Sequence, residues 1–179
     1  IGWSSAQFYS DAPLIPLRQF GADRLQPLQT TYVSGAYTDG SSSTLTNRAE
    51  AEAIVKQIQL CMMDPAYNGK TMGVIALQSA AQVRLLDDLL DVAIPSDQRE
   101  KRRLRVGTAP DFQGDERNVI FLSMVVAGRE KITSMTQRDW QRRFNVAATR
   151  AEDQMWLFHS TTIDMLKPTD LRRSLLGYV

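Results

Sequence analysis

Four stretches of this sequence carry residue types that could do chemistry. The first, Gly69-Lys70-Thr71, has the ending of a phosphate-binding P-loop. It fails as one, because Asp64 stands where the leading glycine belongs and the tripeptide precedes a strand instead of joining strand to helix. A turn with a solvated lysine is the better reading, and no other stretch supplies a P-loop. The second is VGTAPDFQGDERNVIFLS, Val106–Ser123. Here a strand ends at Thr108, a turn carries Phe112 to Arg117, and a buried strand follows. Gly114 lets that turn bend sharply and leaves Gln113 and Glu116 at the rim of the sheet, where ligands of open α/β sheets sit. By itself a polar turn of this kind is more often plain surface. The third is RRFNVAATRA, Arg142–Ala151. At about 100° per residue Arg143 and Arg150 share one flank of a helix, suited to an anion or to two surface salt bridges, and spacing alone favours the salt bridges. The fourth, Arg99–Arg105, holds five positive charges and one negative. It reads as a nucleic-acid contact or, more simply, as a solvated linker face.

Other chemistries are closed off. One cysteine, Cys61, and one histidine, His159, allow neither an internal disulfide nor a zinc site of those ligands. They also leave no nucleophile–base pair to assemble, and both residues read as packed. Trp3, Trp140 and Trp156 are too scattered to suggest a base-stacking platform. The formal charge of +1 leaves any basic surface local. The longest apolar run, Val119–Ala127, falls far short of the roughly 20 residues that span a bilayer, so no membrane partner is expected.

The elements that must position these residues alternate. Pro13, Pro16 and Pro27 break residues 1–45, where Thr31–Tyr37 is the strand candidate and Gly35–Thr44 a turn-rich loop. Asn47 with Glu50 opens a helix by a capping-box pattern. Ala51, Ile54, Val55, Ile58, Cys61 and Met62 follow on its inner face up to Pro65. Met72–Leu77 reads as a strand covered on both faces. Ser79 with Gln82 opens a second helix, carrying Val83, Leu86, Leu89, Leu90 and Ala93, which Pro95 ends. Strands are expected at Arg103–Thr108, Val119–Val126 and Met155–Phe158. A helix from about Asp139 carries Trp140, Phe144, Ala147, Ala148 and Ala151 on one stripe. Helices alternating with buried strands imply parallel pairing and a three-layer α/β domain. With 179 residues and 43% hydrophobic composition, one such domain is the expectation. Because the chain opens at Ile1 in what reads as mid-helix, it is expected to be a piece of something longer.

Taken in order, these segments resemble the second RecA-like motor domain of superfamily-one helicases of the Upf-like group, over nearly the whole chain. NRAEAEAIV (Asn47–Val55) is similar to that group's lead-in helix, and GVIALQSAAQ (Gly73–Gln82) to its fourth motif. FQGDER (Phe112–Arg117) is similar to the fifth motif and RRFNVAATRA to the sixth. The large bacterial helicase-like proteins of the group look nearest, and these can carry a nuclease-like domain after the motor. The chain departs from the group at Ala76, Leu77 and Gln78, where Thr-Pro-Tyr is common, and at Pro110 and Asp111, where Asp and Ser are.

The resemblance implies a RecA-like fold with no P-loop of its own, residues 1–45 being lead-in and 46–179 the motor domain. It implies ATP and Mg2+ as cofactors, held mainly by the first RecA-like domain of the same chain, and a single strand of DNA or RNA as partner, in the cytoplasm. Arg150 would be the arginine finger, Glu116 would approach the ribose or the metal-bound water, and Gly114 would permit that approach. Gln113 would link the fifth-motif loop to the nucleotide or the sixth motif, and Arg143 would support the finger or the domain interface. Thr108, Gln78 and Ser79 would face the strand. The isolated piece is expected to be inactive. The alternative is a RecA-like module that binds without catalysis, and a P-loop upstream of Ile1 would decide between the two.

Overall fold

The computed structural model describes residues 2–12, 24–128 and 132–179. Strands β1 (Leu28–Tyr32), β2 (Met72–Ala76), β3 (Arg105–Thr108), β4 (Arg117–Ala127) and β5 (Ala151–Ser160) form one sheet, ordered β1-β5-β4-β2-β3. All its pairings are parallel. Parallel neighbours need crossovers, which place helices on both faces and leave central strands apolar on both sides. Accordingly β2 is buried throughout, and β4 everywhere except Asn118.

One face is covered by α2 (Arg48–Met63) and α3 (Ala80–Ala93), whose Ile54, Ile58, Leu86 and Leu90 pack with Val74 and Phe121. The other is covered by α1 (Gly2–Phe8), α5 (Arg138–Thr149) and α6 (Leu171–Tyr178). Their Trp3, Phe144, Ala147, Leu171 and Leu175 pack with Ile75 and Leu122. Each fully buried side chain of this size contributes on the order of 1.5–3 kcal/mol. The short α4 (Ser96–Lys101) leads into β3. The result is a three-layer RecA-like α/β domain.

Four boundaries differ from expectation. The first strand is Leu28–Tyr32, not Thr31–Tyr37, because its partner sets its ends. Leu28 pairs with Met155 and Tyr32 with His159, the last ladder bond runs from Val33 N to His159 O (2.8 Å), and Gly35 at φ +71° turns the chain away. β3 starts at Arg105, since Arg103 sits at φ +47°. β4 and β5 each run longer than their apolar cores. Pro13 and Pro16 lie outside the described residues. Within the segment read as lead-in, β1 is a strand of the sheet. Trp3 of α1 is buried there, its Nε1 donating to Ser174 Oγ at 3.1 Å.

Both expected capping boxes form by half. Asn47 Oδ1 accepts from Glu50 N (3.0 Å) and Ser79 Oγ from Ala81 N (3.2 Å). The return arms go elsewhere. Gln82 Nε2 donates to Asn47 O (3.1 Å) and its Oε1 accepts from Asn47 N (2.8 Å), so the two helices are tied to each other. Glu50, fully buried, accepts from Ser123 Oγ (2.6 Å), Val125 N (2.8 Å) and Ser160 Oγ (3.0 Å). The reason lies in β4, which is kinked at Val125 (φ +73°) where its register with β5 shifts. The kink frees backbone groups that must find partners. Glu50 takes the Val125 N–H, and Asn47 Nδ2 donates to the Val125 carbonyl at 3.0 Å.

Candidate nucleotide rim and strand cleft

The expected site residues divide between the two ends of the sheet. From β3 the chain returns along the sheet through a short 3-10 turn, Ala109–Phe112. Thr108 N and Oγ1 both donate to Asp111 Oδ2 at 2.7 Å, and these bonds hold the Asp111 carboxyl below its ordinary range. Phe112 is fully buried and anchors the turn, Asp115 N closing on its carbonyl at 3.0 Å. Gly114 takes φ +77° with open space on its side-chain side, so a glycine suits it for conformation rather than for room.

Past this turn, Gln113 and Glu116 are exposed at the end where β4 begins. Arg117 N bonds to Arg150 O (3.0 Å), which brings the end of α5 to the same place. Arg150 Nη1 stands 3.8 Å from Glu116 Oε1. Its Nε and Nη2 rest on Val146 O (3.2 Å) and Thr149 Oγ1 (3.1 Å), a cation folded over the carbonyl end of its own helix. The neighbouring Asp115 is committed to other partners. The hydrogen bond from Arg117, with Arg105 behind it at 2.9 Å, holds its carboxyl below the usual range. Of the two adjacent carboxylates, Glu116 is therefore the one left exposed at this rim.

Arg143 is elsewhere. Seven residues before Arg150, it lies about 10 Å back along the helix axis. It lines a cleft of about 670 Å³ beyond the carboxyl ends of the strands, together with Gln78, Ser79 and Thr108. Its guanidinium lies 5.1 Å from the centre of the Trp140 ring, and Nε donates to Asp139 Oδ2 at 2.9 Å. Ser79 sits at φ +71°. Its hydroxyl caps α3 and donates to Ser43 O at 3.0 Å, bonds that hold a conformation L-residues avoid. The structure thus brings Gln113, Gly114, Glu116 and Arg150 to one rim, and Gln78, Ser79, Thr108 and Arg143 to one cleft, with Arg143 apart from Arg150.

The basic run is largely used internally. Arg99 pairs with Asp87 at 2.6 Å and with Asp91, Arg102 is buried against the Tyr67 carbonyl, and Arg105 pairs with Asp115. Lys101 and Arg103 remain exposed. Among the cleft residues to which the sequence assigned no site role are Trp140, Ser134 and Arg172. Trp140 reads from its spacing only as part of the apolar stripe of α5, and Ser134 carries no spacing signal. For Arg172 the only hint is Asp170 two residues before it.

Among the described residues no helix is long and apolar enough to cross a membrane. A family model described as an AAA domain matches residues 3–162, nearly the whole chain. No curated protein matches it.

Proposed function

Because the chain belongs to the helicase-like AAA domain family of superfamily one, a family of nucleic-acid motor domains, we propose that it is the second motor domain of an Upf-like, ATP-dependent helicase. One observation carries the reading. Arg150 and Glu116 share one end of the sheet, while Gln78, Ser79, Thr108 and Arg143 line a cleft at the other. A motor needs this separation, since fuel and track must be held at once.

The donor set at the rim fits the outer side of a nucleotide. A guanidinium suits phosphate oxygens, and a carboxylate accepts from ribose hydroxyls or metal-bound water. It does not make a complete cradle, so Mg-ATP is held mainly by the first RecA-like domain of the same polypeptide. Magnesium there supplies charge neutralisation on the phosphates. Arg150 reaches the γ-phosphate by leaving Val146 O and Thr149 Oγ1, both neutral acceptors, for an anion. Its charge then stabilises the transition state, worth on the order of 10³–10⁵ in rate. Gln113 and Gly114 shape the loop that brings Glu116 to the nucleotide. In the cleft, Arg143 pairs with phosphates of a single DNA or RNA strand and Gln78 offers its amide donors, while Ser79 and Thr108 shape the wall beside it, their hydroxyls donating to Ser43 O and Asp111 Oδ2.

The test is Arg150→Ala in the polypeptide carrying both motor domains, with strand-stimulated turnover and nucleotide affinity measured separately. The expected result is a kcat lower by about 10³ or more with affinity within a modest factor, because the lost charge acts mainly in the transition state. A normal kcat would overturn the assignment.

A further inference from the structure

Helix α6 begins after the residues matched by the family model, yet its first turn is built into the cleft wall. Asp170 and Arg172 are each only 1% exposed. Arg172 Nε and Nη2 donate to the two oxygens of Asp170 at 3.0 and 2.7 Å, and Asp170 Oδ1 also caps the Arg172 N–H at 3.0 Å. The fork has further partners. Nη2 donates to Thr133 O at 2.6 Å, and Nη1 reaches Gln78 Oε1 at 3.5 Å. Leu171 N adds a bond to Met135 O at 3.2 Å. One buried guanidinium thus ties together the end of β2, the loop leading into α5, and the start of α6.

A buried ion pair is weak grounds for stability, because desolvation offsets most of its attraction. Its rigid geometry is a better account of this one. The planar guanidinium has fixed donor directions, so joining Gln78 and Thr133 through it fixes their separation. With its Oε1 taken by Arg172, Gln78 has its amide donors left for the cleft.

We propose that Arg172 is a positioning residue for nucleic-acid binding, holding Gln78 and the 132–135 loop in the geometry that receives a strand. This rests on the reading of the cleft as the strand groove. Arg172 itself is not the phosphate contact, because Asp170 neutralises it and four of its five side-chain donors are committed.

The probe is a labelled single-stranded oligonucleotide, as DNA and as RNA, titrated with this chain by fluorescence anisotropy over a series of low salt concentrations. Two variants are compared: Arg172→Lys, and the pair Asp170→Asn with Arg172→Met. The pair keeps a helix cap and buries no lone charge. Both are expected to weaken binding about three- to tenfold, the size of one or two lost neutral hydrogen bonds. The slope of log affinity against log salt should not change, since no phosphate contact is removed. In a Gln78→Ala background the effect of Arg172→Lys should shrink, because the two act through one another. Unchanged affinity in a folded variant overturns the proposal. So does a slope shallower by about one, which would make Arg172 a phosphate ligand, and so does unfolding of both variants, which would make the tie a stability element. Failure of the unsubstituted chain to bind any oligonucleotide overturns the cleft reading itself, and the proposal with it.

Discussion

Replacing Glu50 by Gln should remove most of the pH dependence of this domain's stability between pH 5 and 8. Glu50 has no exposed surface, and burial pushes its carboxyl from 4.5 to about 7, against the bonds from Ser123, Val125 and Ser160 that favour the charged form. In the unfolded chain the same group titrates near its ordinary value. Between about 4.5 and 7, then, the native state holds a proton that the unfolded state has lost. Stability therefore falls as pH rises through this window, by about 1.4 kcal/mol per unit. It is fully present below the unfolded pKa and gone above the folded one. Integrated from pH 5 to 8, the loss is about 2.5 kcal/mol.

Gln keeps the shape, leaves a carbonyl oxygen for Val125 N, and cannot ionise. Urea unfolding at several pH values, on the unsubstituted chain and on Glu50→Gln, measures the difference while cancelling every other titrating group. The unsubstituted midpoint should drop by about 1 M between pH 5 and 8, given a slope near 2 kcal/mol/M. The variant's change should be smaller by most of that amount. Parallel pH profiles would refute the reasoning, since Glu50 would then be ionised at pH 5 and its hydrogen bonds would outweigh desolvation.

Two further outcomes follow from the packing. Arg99→Gln should leave oligonucleotide affinity and its salt slope unchanged, because Arg99 is already paired with Asp87 and Asp91; a shallower slope in the anisotropy titration would contradict this. Gly73→Ala should lower stability by about 1–3 kcal/mol and the unfolding temperature by several degrees. The added Cβ would stand 2.7 Å from the Phe112 ring and 2.9 Å from Ile120 Cδ1. Calorimetry showing an unshifted transition would refute that account.

The sheet and its layers were legible because apolar period and helix caps are local signals. Ile54, Ile58, Leu86 and Leu90 fall inward as their spacing requires. Two polar residues head those same stripes: Glu50 precedes Ile54 and Ile58 at four-residue steps, and Gln82 precedes Leu86 and Leu90. Their burial was readable from the period, but the capping pattern gave a local partner for each and hid it. What no local pattern holds is the partner across the fold. The ends of β1 depend on β5, and Arg172 bonds a carbonyl 39 residues away. The site shows the same limit. Spacing put Arg143 and Arg150 at nearly one azimuth, which is correct, and said nothing of the distance along the axis, which decides their neighbours.

That distance gives α5 its part in the proposed motor. Its 12 residues span about 18 Å, with Arg143 at the cleft and Arg150 at the proposed nucleotide rim. Phe144 and Ala147 seat the helix in the core between them, so the two arginines are joined by a packed rod rather than by a flexible chain. Coupling between sites requires an element with two arrangements that both sites bias. Arg150 has two incompatible sets of partners, the carbonyl end of α5 with Thr149 Oγ1 in this structure and the γ-phosphate in the proposed motor. Arg143, by contrast, is held by Asp139 and Trp140 on the same helix, so it moves with α5. The loop entering α5 is fixed through Thr133 to Arg172, and the strand after it is fixed to β4. A pull on Arg150 therefore meets resistance at both ends of the helix. In the proposed motor that pull would be carried along the packed helix to Arg143, about 10 Å away at the cleft.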